Sequence, residues 1–292
     1  MSITVIAIVL ASTFMHAAWN LLARYDRSEE DFYNKMLLTM IVAGFLPAVI
    51  SEYLTRSIPP LAWACVVGSG TSAGIYLFSL ARAFASSDFT VVYPVARSIP
   101  VIFIAIIDVL RGRQLTAAGW VGIVFVAMGC ALVPLLSFKD VSLSKYFNRA
   151  SLWMFIAALG TIGYTFFDKI AAEVVQAGPD TAARYGYIYF AISFFPYLVL
   201  QRGFYSPDRK KVQTGWRLAI PAAVLSFGAY WLILYAYQLS PNASYIVAFR
   251  QFSIVIGSVL AFLIYKEQGI GMRLSGAALI TAGLVLIGVW GR

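Results

Sequence analysis

Long apolar runs alternate with short polar segments along the whole chain, and each run is about the length of a membrane-spanning helix. An α-helix rises 1.5 Å per residue, so about 20 apolar residues cross the roughly 30 Å hydrocarbon core of a bilayer. The short connections leave no room for a soluble domain. The pattern predicts an all-α integral membrane protein with ten transmembrane helices, at residues 3–23, 32–53, 61–84, 89–110, 115–136, 150–171, 182–201, 216–238, 243–265 and 270–290.

Composition excludes an ordinary soluble protein, because 61% of the 292 residues are hydrophobic and only 12% are charged. Soluble domains carry roughly a quarter charged residues. We interpret the net charge of +9 as loop cations that face the anionic headgroups of a lipid bilayer, and we expect no nucleic-acid partner. The first apolar run has no basic leader and no small-residue cleavage site, so it is interpreted as a spanning helix and not a signal peptide.

The second half of the sequence repeats features of the first half. TSAGIY at 71–76 recurs as LSFGAY at 225–230, an offset of 154 residues. The pattern predicts two repeats, residues 1–137 with helices 1–5 and residues 138–292 with helices 6–10. Five is an odd number, so the second repeat crosses the membrane in the opposite sense, as in many secondary transporters. Equivalent positions, at offsets of 145 to 154, are Trp19 and Tyr164, Tyr76 and Tyr230, Arg97 and Arg250, Gly122 and Gly276, and Gly129 and Gly283.

Several segments carry a resemblance to a known family. HAAWN in helix 1, VYPVAR in helix 4 and the closing YKEQGIGMRLSGAALITAGLVLIG, together with the ten helices and the five-helix repeat, resemble EamA-type members of the drug/metabolite transporter superfamily. The resemblance covers essentially the whole chain, although Gln114 stands where the first repeat would usually carry an acid equivalent to Glu267. It implies a carrier of small metabolites, amino acids among them, with both chain ends in the cytoplasm.

Two arginines inside predicted helices are the leading binding candidates. Arg97 lies eight residues into helix 4, and Arg250 lies seven residues into helix 9. An arginine near the centre of a spanning helix costs about 2.5–3.5 kcal/mol on insertion scales, which favours a water-filled cavity. The alternative is that the side chains extend to the membrane surface. Pro94 and Pro100 flank Arg97, and they either open the backbone for binding and gating or merely kink the helix.

Polar stripes on helices 1 and 6 supply further candidates. In helix 1, His16 and Asn20 share one face with Trp19 beside them, and His16 either titrates near neutral pH or forms a structural hydrogen bond to a neighbouring helix. In helix 6, Tyr164 and Asp168 belong to the equivalent stripe. Asp168 is either an interfacial helix end or a buried acid, in which case it is a counter-ion for an arginine or a proton-coupling carboxylate.

Other polar residues receive simpler interpretations. Tyr76 and Tyr230 match between the repeats, and with Tyr93 they either line a pocket or pack between helices. Asp108, near the end of helix 4, is interpreted as interfacial. The sequence contains no Walker loop and no metal-ligand spacing, and no nucleophile motif is seen, so neither a cofactor nor an enzymatic activity is expected.

The sequence predicts a secondary transporter, an exporter or exchanger, of a small anionic or zwitterionic metabolite such as an amino acid. Alternatives are a carrier of cationic or drug-like compounds and a non-transporting scaffold or flippase component. The expected location is the inner (cytoplasmic) membrane, with a homodimer as a possible assembly. Apart from Arg97 and Arg250, 14 of the remaining 20 basic residues lie on the side away from the chain ends. The positive-inside rule then puts both ends outside, against the resemblance, and the orientation stays open.

Overall fold

A computed structural model describes residues 1–25, 29–84, 89–133, 149–204, 215–265 and 270–291. Within these ranges the side chains at 23–25, 29–30, 84, 89–96, 149–150, 258, 260–265 and 270 are not described. The described backbone is almost entirely helical. The helices are α1 Ile3–Tyr25, α2 Glu29–Thr55, α3 Pro60–Phe84, α4 Phe89–Leu110, α5 Ala117–Leu132, α6 Arg149–Val174, α7 Pro179–Gly203, α8 Trp216–Leu239, α9 Ala243–Arg250, α10 Phe252–Tyr265 and α11 Ile270–Trp290.

Each predicted helix is present, so the predicted fold class is confirmed. The main difference is that the predicted ninth helix is divided at Gln251 into α9 and α10. The predicted fifth helix begins two residues later than expected because Thr116 is its N-cap, with the Thr116 Oγ1 accepting a hydrogen bond of 3.0 Å from the Gly119 N–H. The expected residues 134–136 of that helix lie outside the described residues.

Surface and interior have the polarity expected in lipid. By length and composition, six helices of the described chain could each cross a membrane, and two shorter apolar helices accompany them. Val42, Leu46 and Ile50 lie one turn apart on α2 and are 77%, 65% and 52% exposed, which gives this helix an apolar outer stripe. Asp168 and Lys169, in contrast, are buried within the helices. The protein is therefore a multi-pass membrane protein.

Helix packing follows a two-fold relation between the repeats. The helices α1, α2, α3 and α5 are equivalent to α6, α7, α8 and α11, and α4 is equivalent to α9 with α10. The contact between α3 and α6 therefore matches the contact between α8 and α1. The pairing of α4 with α6 likewise matches that of α9 with α1, and the pairing of α3 with α7 matches that of α8 with α2. The pairs α2–α7 and α5–α11 map onto themselves, so a local two-fold axis passes between their members. This is the arrangement that an inverted repeat requires.

The crossing of α5 and α11 shows the two-fold relation at atomic detail. A Cβ added at Gly122 would lie 2.6 Å from the Gly283 carbonyl oxygen, and one added at Gly129 would lie 2.6 Å from the Gly276 carbonyl oxygen. Gly122 is equivalent to Gly276, and Gly129 is equivalent to Gly283. The two-fold relation therefore converts the Gly122–Gly283 contact into the Gly276–Gly129 contact. Backbone contact this close is possible because none of the four residues has a side chain.

Both chain ends lie on one side of the bundle. The Met1 amino group donates a hydrogen bond of 2.8 Å to the Gly291 carbonyl oxygen, which joins the start of α1 to the end of α11. We call this side the terminal face. Since consecutive spans run in opposite directions, α4, α6 and α8 end at the terminal face, and α3, α5, α7 and α9 begin there.

Candidate functional site

A cavity lies between the two repeats, with walls formed by α1, α3, α4, α6 and α9. The cavity-lining residues come from the C-terminal half of α3, the N-terminal halves of α4 and α6, the middle of α1 and the end of α9. These segments place the cavity in the half of the membrane away from the terminal face. The lining residues are His16, Tyr76, Leu80, Arg97, Pro100, Met154, Ala157, Ala158, Thr161, Tyr164, Val247, Arg250 and Gln251.

Both intramembrane arginines line this cavity. Arg97 comes from the first repeat and Arg250 from the equivalent position of the second, and both side chains are half-buried. A guanidinium group is always charged and presents several N–H donors in a fixed plane that matches a carboxylate or phosphate. The wall beside them is aromatic, with the rings of Tyr76 and Tyr164 packed edge to face at a centroid distance of 5.8 Å. The site combines positive charge with apolar surface.

His16 also lines the cavity, and a second residue of α1 fixes its protonation pattern. The Trp19 Nε1–H donates a hydrogen bond of 3.1 Å to the His16 Nδ1. Because Nδ1 accepts this bond it carries no proton, and the ring proton of a neutral imidazole is then on Nε2. Nε2 is therefore a hydrogen-bond donor, like the two arginines. Trp19 itself is buried and does not line the cavity, so its contribution there is to position His16.

The helix break of the second repeat occurs at the cavity. The α4 backbone, in contrast, stays helical through Pro94 and Pro100, which leaves the kink as the form in which these prolines act on the helix. Pro100 lines the cavity, and the side chains of Pro94 and Tyr93 lie outside the described residues. In the second repeat the helix ends at Arg250.

Polar side chains bind the backbone carbonyls next to this break. The Gln251 Nε2–H₂ donates to the Val247 carbonyl oxygen over 3.3 Å, and the Ser253 hydroxyl donates to that of Arg250 over 2.8 Å.

Gln251 is a cavity residue that sequence reasoning missed. Its Nε2 is oriented by the Val247 carbonyl, since the reversed amide would place two oxygens together. Its Oε1 is buried without a hydrogen-bond partner in the described part of the chain. Gln251 thus brings an amide group to the cavity wall, with its oxygen atom buried. The only sequence signal for Gln251 is its place directly after Arg250.

Three predicted site residues do not reach the cavity wall. Asn20 donates a hydrogen bond of 2.7 Å to the His16 carbonyl oxygen within α1. Tyr230, predicted to be the counterpart of Tyr76, lies behind Tyr164 with a ring centroid distance of 6.2 Å. Trp19 acts only through His16. The repeats are therefore unequal, since Tyr76 lines the cavity and its equivalent does not.

Asp168 lies behind the cavity, in the terminal-face half of α6. It is 1% exposed and α6 continues to Val174, so the interpretation as an interfacial helix end is wrong. The Ser69 hydroxyl donates to its Oδ1 at 2.5 Å and the Tyr185 hydroxyl at 3.1 Å, while the Tyr230 hydroxyl donates to its Oδ2. No ion pair joins Asp168 to an arginine among the residues that the structure describes, so a direct counter-ion contact is not formed there.

A network of charged groups closes the terminal face between the repeats, and we call it the terminal network. Arg111 and Arg113, just beyond α4, bind the two carboxylate oxygens of Glu173 on α6 at 2.7 and 2.8 Å. The buried Lys169 ammonium lies 3.4 Å from Glu173 and donates to the carbonyl oxygens of Tyr237 and Ser240 at 3.0 and 2.6 Å. The network ties the first repeat to α6 and α8 of the second.

Asp108 belongs to the same region. It is 1% exposed, and its Oδ2 accepts a hydrogen bond of 2.8 Å from the Ser244 N–H at the start of α9. Asn242, the N-cap of α9, makes no side-chain cap of its own, so Asp108 supplies the cap from another helix. Asp108 thus lies near the end of α4 as the sequence indicated, but it is buried there against the equivalent helix of the second repeat.

Residues 3–135 and 148–289 each match the model of the EamA-like transporter family. The chain belongs to this family. The predicted resemblance to EamA-type members of the drug/metabolite transporter superfamily is thereby confirmed. Glu267, one residue of that resemblance, lies outside the described residues.

Comparison with solved structures supports the fold of this EamA-family protein. One solved structure, described only as a crystal structure of a protein, aligns with a TM-score of 0.70 over 99% of this chain and 99% of its own, at 14% sequence identity. At that identity the likeness establishes the architecture alone. None of the curated proteins compared with the chain matches it. Within the described ranges, no group of three or more His, Cys, Asp or Glu side chains is placed to hold a metal ion.

Proposed function

We propose that this EamA-family protein is a secondary transporter of a small anionic or zwitterionic metabolite, such as an amino acid, in the cytoplasmic membrane. The observation that carries the proposal is the convergence of Arg97 and Arg250 on one cavity. Each arginine comes from the equivalent position of its repeat. Binding sites of inverted-repeat transporters lie between the repeats, as this cavity does.

The donors of the cavity suit a carboxylate or phosphate group. Arg97, Arg250 and the His16 Nε2–H can all donate hydrogen bonds to one anionic group, and the two guanidinium groups also neutralise its charge. Charge-assisted hydrogen bonds contribute about 1.5–3 kcal/mol each. Gln251 also lines the cavity, and its buried Oε1 has no hydrogen-bond partner in the described part of the chain, so we include zwitterions, whose amino group needs an acceptor, among the proposed substrates.

Transport would proceed by alternating access between the halves 1–137 and 138–292. The cavity lies away from the terminal face, while the terminal network of Arg111, Arg113, Glu173 and Lys169 bridges the halves there. Opening of the terminal face requires these contacts to separate. The helix break at Gln251, beside Arg250, gives α9 a point at which it can change direction relative to α10.

A carrier of cationic compounds is the weaker alternative. The aromatic rings of Tyr76 and Tyr164 could bind a cation. The cavity wall, however, contains two arginines, and the acidic candidate Asp168 lies behind Tyr164 and outside the wall. An arriving cation would therefore be repelled by two like charges, and none of the described residues of the wall is acidic.

Uptake into proteoliposomes tests the proposal. The purified protein is reconstituted, and uptake of radiolabelled amino acids and organic acids is measured for the parent protein and for Arg97→Gln and Arg250→Gln. Loss of one charge-assisted contact predicts a fall in affinity of roughly 10-fold or more. Arg217→Gln is the matched control, because Arg217 is exposed at the start of α8 and is expected to leave uptake unchanged. Equal uptake by all variants, or no uptake of any anion or zwitterion, contradicts the proposal.

A further inference from the structure

Asp168 is a buried acid that the proposed binding of substrate does not use. Its two carboxylate oxygens accept hydrogen bonds from Ser69 of α3, Tyr185 of α7 and Tyr230 of α8. Four helices from both repeats thus meet at one side chain. The Tyr230 ring also stacks on Tyr189 of α7, with a centroid distance of 4.3 Å, which seals the acid from lipid.

All three partners of Asp168 are neutral hydroxyl groups. A carboxylate inside a membrane protein is ordinarily paired with a cation or reached by water, because an isolated charge in a low-dielectric interior is costly. Within the described part of the chain, no lysine, arginine or histidine forms an ion pair with Asp168. Titratable or charged groups that interact electrostatically with Asp168 are Cys65 of α3, Tyr185 and Tyr189 of α7, Tyr230 and Tyr237 of α8, and Arg250 of α9.

Arg250 is the one cation in that set, and it also lines the cavity. An anionic group bound at Arg250 would compensate part of its charge and so weaken its attraction for a negative Asp168. Occupancy of the cavity and the charge of Asp168 are therefore linked through a single side chain. Tyr164 provides a second link, because it lines the cavity and its backbone carbonyl oxygen lies 3.5 Å from the Ser69 hydroxyl, whose proton is donated to Asp168.

We propose that Asp168 is the proton-binding site that couples transport through the Arg97 and Arg250 cavity to a proton gradient. The step is a simple proton exchange: the carboxylate takes a proton from water that enters from one side of the membrane, and releases it to water on the other side. The coupling role rests on the proposed transport function, but the binding of a proton at Asp168 does not.

The donor set favours a proton over a sodium ion. A sodium site needs several oxygen atoms whose lone pairs converge on the ion. Here the hydroxyl groups of Ser69, Tyr185 and Tyr230 each direct a proton toward the carboxylate. A protonated Asp168 needs only one of these hydroxyls to rotate and accept its proton.

Infrared difference spectroscopy of the purified full-length protein tests proton binding without any transport substrate. The carbonyl stretch of a protonated carboxyl group is followed as the pH is changed, in parent protein, Asp168→Asn and the control Asp108→Asn. We expect a titrating band that is lost in Asp168→Asn and kept in Asp108→Asn, where the replaced acid is a helix cap. If the titrating bands of Asp168→Asn equal those of the parent, or the parent shows no titrating band, the proposal is overturned.

A Tyr230→Phe variant decides the matter if Asp168→Asn fails to fold. It keeps the carboxyl group and removes one hydrogen-bond donor, so the titrating band must move in frequency. An unmoved band overturns the assignment to Asp168. The same titration repeated with added sodium chloride should leave the band unchanged, and a sodium-dependent loss of the band would replace the proton by a sodium ion.

Proteoliposome flux then tests coupling. In parent protein a pH difference across the membrane drives net flux of substrate, and exchange of labelled for unlabelled substrate proceeds at equal pH on both sides. Asp168→Asn should lose gradient-driven flux and keep exchange within about threefold. Equal loss of both activities indicates a structural role and contradicts the proposal. If no substrate is transported by the parent protein, the proposed function fails, while the infrared result still stands.

Discussion

The substitution Gly283→Ala tests the close crossing of α5 and α11 that relates the two repeats. An alanine Cβ at this position would lie 2.5 Å from the Gly122 carbonyl oxygen and 2.9 Å from the Val126 Cγ2. The valine can change rotamer, but the carbonyl oxygen is part of the α5 backbone and cannot move away alone. The helices must therefore separate at the point where they pack most closely.

The expected cost follows from overpacking in a well-packed interior, which is typically about 1–3 kcal/mol. A change of 1 kcal/mol moves the melting temperature of a protein of roughly this size by about 2–4 °C. Gly283→Ala should thus lower the melting temperature of the detergent-purified protein by roughly 2–12 °C, measured by intrinsic fluorescence during heating. Gly129→Ala, whose Cβ would lie 2.6 Å from the Gly276 carbonyl oxygen, should have a similar effect because of the two-fold relation.

Gly271→Ala on the same helix is the matched control. No atom lies within 4 Å of a Cβ added there, and alanine is the better helix former, so its melting temperature should be unchanged or slightly higher. If Gly283→Ala melts like Gly271→Ala, the helices do not approach at Gly283 and the description of the crossing is wrong. A large loss for Gly283→Ala with none for Gly129→Ala contradicts the two-fold relation.

Three further predictions concern the site and the terminal face. Trp19→Phe removes the donor that orients His16, and affinity for the substrate should fall by roughly 2–10-fold with little change in melting temperature; unchanged affinity refutes this positioning. Glu173→Gln weakens the terminal network, so a cysteine at Ser240 should react with a membrane-impermeant thiol reagent roughly 5–100-fold faster, and an unaltered rate contradicts the closure. Asp108→Ala removes the cap of α9 and should destabilise the protein by about 1–2 kcal/mol, seen as a lower melting temperature; no change would show that the cap is dispensable.

The span pattern could be predicted because membrane thickness fixes helix length. Bilayer hydrocarbon sets a minimum length for an apolar run, and six helices of the described chain meet it by length and composition alone. The repeat could also be predicted, because equivalent helices pack against equivalent neighbours and keep similar residues at those contacts. The glycines where α5 and α11 cross are an example. Arg97 and Arg250 could also be identified from the sequence. A charge in an apolar run requires polar surroundings, and charges at equivalent positions of two repeats indicate that both lie in the same polar region.

Features that depend on which helix lies opposite could not be predicted. Lys169 looks like an ordinary helix-end lysine, yet its ammonium donates to carbonyl oxygens 68 and 71 residues away. Asp108 likewise gives no sign in the sequence that its carboxylate caps α9. Gln251 gives no periodic signal, because its effect depends on its own side chain binding the carbonyl one turn back. Local sequence reveals the polar groups but not their partners.

Ligand-dependent thermal stability of the purified protein tests most directly the claim that Arg97 and Arg250 form a site for an anionic group. The panel comprises amino acids, organic acids, phosphonates and organic cations, because a ligand that binds only the folded state at 100 times its Kd stabilises it by about 2.7 kcal/mol. The account predicts that one or more carboxylate- or phosphonate-bearing compounds raise the melting temperature of the parent protein and of Arg217→Gln, but not of Arg250→Gln. Stabilisation by organic cations alone, retained in Arg250→Gln, would contradict it.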